Sequence, residues 1–435
     1  MKRLIIMALV LLAAGIPAGL RAAEDTNALP VLTLAGARQL ALANHPRVVA
    51  ARYEVGAAQE AVKEARSAEL PAVNLDGTAA GEDSGSTTRI MAGGINNPSV
   101  YDRLAGGLQV SQLITDFGRT ANLKASSEFQ ERAESENAAD VREQVWLQVS
   151  SRYYGVLDAR AVLQVAWQTV TNRQVLLEQV QTLATNKLKS ELDVSFGQVL
   201  LEQGQLLVER AQNGLDAAMA GFNTALGLRE PRAFQLVEPP PSMTGTNDVE
   251  SLIQLALAQR PELLSRRAQI EAARRFARAE RDARLPTVAA EGFIGNSPVH
   301  DDRLADNYAA ADINISLPLF AGGLYLARQH RAEAQASAAD EQLRNAEDEV
   351  IQQVRVAWLN VNTARQVLRT SEELVRNAGE AYELAQARYT AALSSVVELS
   401  QAQLNEVAAQ INEANAHYEL LQDEASLDYQ TGVTH

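Results

Sequence analysis

The feature that most constrains the fold is a heptad seam between Val350 and Tyr389. Val350, Val354, Ala357, Val361, Ala364, Leu368, Ser371, Val375, Ala378, Tyr382, Ala385 and Tyr389 follow one another in alternating steps of four and three, and only Ser371 is polar. A seam kept for more than five heptads specifies a helix wound on a partner helix, and a strict 3.5-residue period makes that winding left-handed. Gly379 is the only glycine between Leu324 and Thr431, and no proline interrupts the stretch. Periodicity this long without caps means coiled coil, membrane span or helical repeat. Arg355, Arg365, Glu372, Glu373 and Arg376 make it too polar to cross a membrane. Alanine recurs along the seam, so the paired helices must approach closely.

Composition sets the compartment. Lys2 and Arg3 precede an apolar run of eleven residues, Leu4 to Ala14, which reads as a secretory signal peptide over residues 1–23. Its loss removes three basic residues and leaves 36 basic against 54 acidic, a net charge of −18. Such acidity, with no basic cluster, argues against nucleic acid as a partner. The chain has no cysteine, so it has neither disulfides nor a thiol for lipid attachment.

The two halves repeat. Leu40-Ala41-Leu42-Ala43-Asn44-His45-Pro46 matches Leu255-Ala256-Leu257-Ala258-Gln259-Arg260-Pro261 at an offset of 215, and Leu70-Pro71 matches Leu285-Pro286. Beyond these the offset is 205, pairing Val145 and Val149 with Val350 and Val354, and Ser190 with Ser395. One ten-residue insertion between Gly81 and Leu104 accounts for the change. The expected organisation is a signal peptide (1–23), a first repeat (24–228), an irregular linker (229–248) and a second repeat (249–435).

Each repeat opens with a short helix, and Pro46 or Pro261 then stands in the first turn of a second, where a missing N–H costs little. Leu70-Pro71 and Leu285-Pro286 end the second helices. The period then switches to two: Ile313, Ile315 and Leu317 alternate with Asp312, Asn314 and Ser316, and Leu108 and Val110 with Gln109 and Ser111. Four strands are expected, at about 70–81, 104–115, 285–295 and 307–318. Each has the length that a tilted membrane strand needs, and a small soluble sheet with one wet face gives the same alternation. Gly118, Gly322 and Gly323 let the chain turn from strand into helix. Long helical hairpins over 119–226 and 324–429 follow, with arms reaching roughly 100 Å. Four strands cannot close a membrane barrel, which takes at least about eight. Two chains would supply eight, and three would supply twelve.

With these elements in view, the chain resembles the outer membrane efflux protein family, the TolC-like channel-tunnels. The resemblance covers essentially all of the chain after the signal. It rests on the doubled helix openings at His45-Pro46 and Arg260-Pro261, the Leu-Pro pairs, and the corner Pro318-Leu319-Phe320-Ala321-Gly322-Gly323. The family's hairpin-tip signature, roughly Arg-Tyr-x-x-Gly-x-x-Ser-x-Leu-Asp-Val, is met by Arg388-Tyr389 and Ser395 to Leu399, and by Ser190 to Val194. The signature glycine is replaced by Lys187 in one tip and Ala392 in the other.

The resemblance implies a mainly helical chain with a membrane β-barrel: a homotrimer with a twelve-stranded barrel in the outer membrane and a coiled-coil α-helical barrel in the periplasm. It implies the passive exit duct of a tripartite export system, with small-molecule efflux favoured over type I protein secretion. The partners implied are a periplasmic adaptor protein, an inner-membrane pump reached directly or through the adaptor, and outer membrane lipid. No cofactor is implied. A soluble periplasmic coiled-coil adaptor is the competing reading. The family's acidic tip rings map onto Glu398, with the neutral Gln401 at the second ring position. Asp193 is equivalent to Glu398 in the first repeat. Either carboxylate could instead be a helix N-terminal residue favoured by the dipole, with Ser190 and Ser395 as caps. Lys187, Ser190, Ala392 and Ser395 form the expected partner-contact tips, and Pro71, Pro286, Gly118, Gly322 and Gly323 the strand–helix corners. An enzyme reading has little to stand on: the histidines are isolated, and Gly81-Glu82-Asp83-Ser84-Gly85 has the wrong spacing for a nucleophile elbow.

Overall fold

The computed structural model describes residues 29–80, 103–239, 248–299, 305–391 and 393–433. The expected signal peptide and Ala392 lie outside the described residues. The element order is β1 (Val31–Leu32), α1 (Leu34–Asn44), α2 (Pro46–Ser67), β2 (Ala72–Ala80), β3 (Arg103–Thr115), α3 (Arg119–Thr185), α4 (Glu191–Ala225), β4 (Gln235–Leu236), α5 (Val249–Gln259), α6 (Pro261–Asp282), β5 (Thr287–Val299), β6 (Asn307–Ser316), α7 (Leu324–Thr390) and α8 (Val396–Thr431). Helix lengths recur: 11 and 22 residues in α1 and α2 as in α5 and α6, and 67 in both α3 and α7. At ~1.5 Å per residue the long helices span about 100 Å.

Local chemistry sets the helix starts. The Thr33 hydroxyl accepts from the Gly36 amide at 3.2 Å, and the His45 Nδ1 accepts from the Arg47 amide at 3.2 Å. Burial, followed by the Arg47 charge, lowers the His45 pKa, which keeps the imidazole in the neutral form that this acceptor role requires. Pro46 and Pro261 occupy the first turns of α2 and α6.

Every position of the α7 seam is buried or half-buried, and Val350, Val354, Ala357, Val361, Ala364, Ser371, Ala378, Ala385 and Tyr389 are fully buried. Its upper part packs with Ile253 and Ala256 of α5 and Leu263 of α6. Its lower part packs with Val396 and Leu399 of α8, and with Leu176, Val180 and Leu200 of the first hairpin. On α4, a methyl group on Gly197 or Gly204 would lie 3.1 Å from Leu177 or 3.2 Å from Val170. These glycines let α3 and α4 approach each other closely.

Two short elements were not legible in the sequence. β1 and β4 pair in parallel, Val31 with Gln235 and Leu32 with Leu236, so the segment expected to be an irregular linker over 229–248 is tied to the start of the chain. β5 also runs to Val299, four residues past the expected end at 295. The tie is centred on Tyr153 of α3, which is fully buried. Its hydroxyl accepts from the Val237 amide at 3.0 Å and contacts the carbonyl oxygens of Leu32, at 3.0 Å, and Val237. The ring packs edge-on against Phe222 at 5.8 Å between centroids. Nearby, the Arg38 guanidinium lies 3.3 Å from the Trp146 ring centroid and holds α1 on α3. Burial brings the Arg38 pKa down to about 10. Replacing Tyr153 with Phe keeps the ring but removes the hydroxyl's hydrogen bonds and leaves Val237 and Leu32 only their direct backbone bond of 3.3 Å, at a cost of about 0.5–1.5 kcal/mol. Denaturant unfolding will show that loss, with faster hydrogen exchange at Val237; unchanged stability and exchange would contradict the clasp.

Candidate functional site

The four longer strands form one antiparallel sheet in the order β2-β3-β5-β6. Register divides its side chains into two sets. One row aligns Leu75, Leu108, Ile294 and Ala309, and the next aligns Val73, Val110, Gly292 and Ala311. Ile313 and Ile315 continue this face opposite Ala290 and Val288. The alternate rows align Asn74, Gln109, Phe293 and Ala310; Asp76, Gly107, Gly295 and Tyr308; and Ala72, Ser111, Glu291 and Asp312. One face is therefore aliphatic and the other mostly polar and acidic. Both faces are exposed on the edge strands β2 and β6, whereas on β3 the aliphatic Leu108 and Val110 are exposed and the polar Gln109 and Ser111 half-buried. The aliphatic side chains are largely bare, Leu75 being 81% exposed, Ile313 66% and Ile315 68%. Large aliphatic side chains left bare across a whole sheet face mark a surface that is not meant for water.

The strand–helix corners are built from left-handed residues. Gly118 has φ 107°, Gly322 60° and Gly323 83°, and the non-glycine Phe117 has φ 56°. Asp116 holds the first corner, its carboxylate accepting from the Gly118 amide at 3.2 Å and the Thr120 amide at 2.7 Å. The Asn122 amide donates to Asp282 at 2.9 Å and ties this corner to the end of α6. Pro71 and Pro286 stand directly before β2 and β5, where no ladder hydrogen bond is lost.

At the far end of the hairpins the two tips share one apolar cluster, in which Leu176, Val180 and Leu200 meet Ala385, Tyr389, Val396 and Leu399. The Lys189 ammonium sits 3.9 Å from the Tyr389 ring centroid. Burial, reinforced by the Asp193 charge, raises the Tyr389 pKa. Lys187 takes φ 59°, a conformation that glycine adopts without strain.

The two tip carboxylates differ. Asp193 closes a capping box: the Ser190 hydroxyl accepts from the Asp193 amide at 3.3 Å, and the Asp193 carboxylate accepts from the Ser190 amide at 3.1 Å and hydroxyl at 2.8 Å. Ser395 likewise accepts from the Glu398 amide at 3.3 Å. The Glu398 carboxylate does not return that bond. It stands 3.4 Å from the Arg388 guanidinium, with both side chains about half exposed. Such a solvated pair is weak, so Glu398 keeps an accessible charge while Asp193 is committed to its helix. Gln401 is exposed and donates to Asn405 at 3.0 Å. Lys189 had no signal in the sequence, because its partner Tyr389 lies two hundred residues away.

Comparison with known proteins bears on the whole of this architecture. The profile of the family described as outer membrane efflux protein matches residues 37–228 and 252–433. Outer membrane protein TolC of Vibrio cholerae is 26% identical over 387 residues, covering 87% of this chain and 85% of the relative. Outer membrane efflux protein BepC of Brucella suis is 26% identical over 349 residues, covering 77% and 70%. In fold, the chain is similar to a membrane protein from Pseudomonas aeruginosa, with a TM-score of 0.79, 20% identity and coverage of 92% and 90%. The Campylobacter jejuni CmeC outer membrane channel gives a TM-score of 0.78 at 17% identity, with coverage of 92% and 85%. A match that runs through both halves and takes in nearly every element described above means that the chain belongs to the outer membrane efflux protein family.

Proposed function

We propose that the chain is the outer membrane exit duct of a tripartite export system, working as a homotrimer. The observation that carries this reading is the bare aliphatic face of the sheet, opposed by a polar face with Asp76, Glu291 and Asp312. A bilayer covers the first face and a water-filled lumen wets the second. β2 and β6 are the sheet's edges, and edge backbone groups cannot stay unpaired in lipid. Pairing β6 of one copy with β2 of the next closes a twelve-stranded barrel from three copies. The matching helix lengths and the two matched segments support a duplicated unit, residues 24–228 and 249–435, joined by 229–248. Nothing in the sequence couples energy to transport, so the duct is passive. A periplasmic adaptor engages the tips near Lys187 to Asp193 and Ala392 to Glu398, and an inner-membrane pump supplies the work. Small-molecule efflux is favoured over protein secretion. A soluble adaptor, the competing reading, has no use for an uncovered aliphatic sheet face.

Glu398 is the gate residue of this reading. Three copies around one axis bring like charges together and attract cations. Gln401 adds no charge at the next ring. Asp193 contributes mainly to its cap.

Three measurements test the reading. Light scattering in mild detergent will give a trimer mass, and a monomer refutes the duct. Ile315→Arg puts a charge on the lipid face and will cost about 2–4 kcal/mol near the midplane and less near an interface, whereas Asn314→Arg on the polar face will be tolerated; equal assembly yields contradict the assignment of faces. In planar bilayers, Glu398→Ala will lower cation selectivity and weaken block by multivalent cations without loss of trimer, and Gln401→Ala will do much less. An unchanged reversal potential would make Glu398 a helix-cap residue only.

A further inference from the structure

One row of the polar sheet face stands apart. Across the four strands it reads Asp76, Gly107, Gly295 and Tyr308. Tyr308 is the only bulky side chain in it, and two glycines lie directly beside it. A methyl group on Gly295 would overlap the Tyr308 ring and lie 2.7 Å from the Gly106 carbonyl oxygen, and one on Gly107 would lie 2.9 Å from the Tyr308 hydroxyl and 2.5 Å from the Ile294 carbonyl oxygen. The ring therefore lies flat across β5 with its hydroxyl over β3, in a saddle made by two missing side chains. One side of it stays open, since the residue is 41% exposed. The row is near the strand ends farthest from the helices: β2 leaves α2 at Ala72 and β6 reaches the α7 corner after Ser316.

We propose that Tyr308 sets the bore of the barrel at its outer end, and that Gly107 and Gly295 keep the bore wide by holding the ring against the wall. This inference rests on the barrel reading above. A tyrosine on a lumen-facing strand position projects toward the axis unless the wall gives it room. Its χ1 has only three staggered states, so a ring expelled from the saddle swings inward as a whole. Three copies then narrow one level of the passage together. A ring that covers strand glycines can also serve stability alone, so the test must separate bore from stability.

The absence of cysteine provides the means. Ser111 lies on the same polar face, four residues farther along β3 toward the helices. In intact cells, Ser111→Cys will react with a small thiol reagent and with a bulky maleimide–polyethylene glycol, both added from outside. Adding Gly295→Ala will slow the bulky reagent and leave the small one unchanged. Adding Tyr308→Ala to that variant will restore the bulky rate. Tyr308→Trp, which overfills the saddle, will slow the bulky reagent by itself and does not depend on the alanine variant folding. The proposal is overturned if neither Gly295→Ala nor Tyr308→Trp slows the bulky reagent. It is also overturned if the slowing by Gly295→Ala persists without Tyr308, or if these variants change only the heat stability of the trimer. Failure of the small reagent to reach Ser111→Cys in the parent protein would instead refute the barrel reading.

Discussion

Close packing of small residues along the helix seams is the constraint on which the rest depends. A 67-residue helix is stabilised by its partners rather than by its own propensity. The α7 seam buries Ala357, Ala364, Ala378 and Ala385 between larger Val and Tyr residues, and α4 uses Gly197 and Gly204 to the same end. Side chains this short draw the helix axes together, which makes a narrow, stiff rod. The sheet at one end and the tips at the other are held at a distance that only such a rod maintains.

The tips show how the same cap can serve two ends. Ser190 and Ser395 cap α4 and α8 in the same way. Asp193, one methylene shorter than Glu398, turns back onto its own cap. The longer Glu398 side chain reaches Arg388 on the opposite arm. Leu183 stands where Arg388 would fall in the first hairpin, so Asp193 has no corresponding cation to draw it away. The two hairpins are then joined through Lys189 on Tyr389, in a shared apolar cluster. A structural carboxylate and an accessible one thus arise from related sequences at matching positions.

The clasp between β1 and β4 has a different logic. Two-residue strands contribute almost nothing by themselves, and Val31–Leu32 with Gln235–Leu236 is such a pair. What holds them is one buried hydroxyl on α3 that meets backbone groups from both. The same level carries Tyr418, whose pKa burial and the neighbouring Glu238 push up to about 12. The segment from Leu236 to Glu238 is therefore fastened to α3 and α8.

Much of the architecture was determined by the sequence alone, because it depends on neighbours in the chain. The alternation around Ile313 and Leu108 assigns faces to strands, since side chains on a strand alternate by geometry. The four-three spacing from Val350 to Tyr389 assigns a buried stripe for the same kind of reason. Pro46, Pro261, Gly118 and Gly323 mark turns because their own backbone permits little else or unusually much. What only the tertiary structure decided involves residues far apart in sequence. No periodicity predicts that Val237 meets Tyr153, that Lys189 caps Tyr389, or that Gly107 and Gly295 come to lie under Tyr308. A two-residue strand is too short to show a period, and a glycine that makes room looks the same in sequence as one that makes a turn. The division between Asp193 and Glu398 is partly of this kind: both follow a serine by three residues, the sequence shows their difference in length, and the structure adds the guanidinium on the opposite arm that the longer side chain meets.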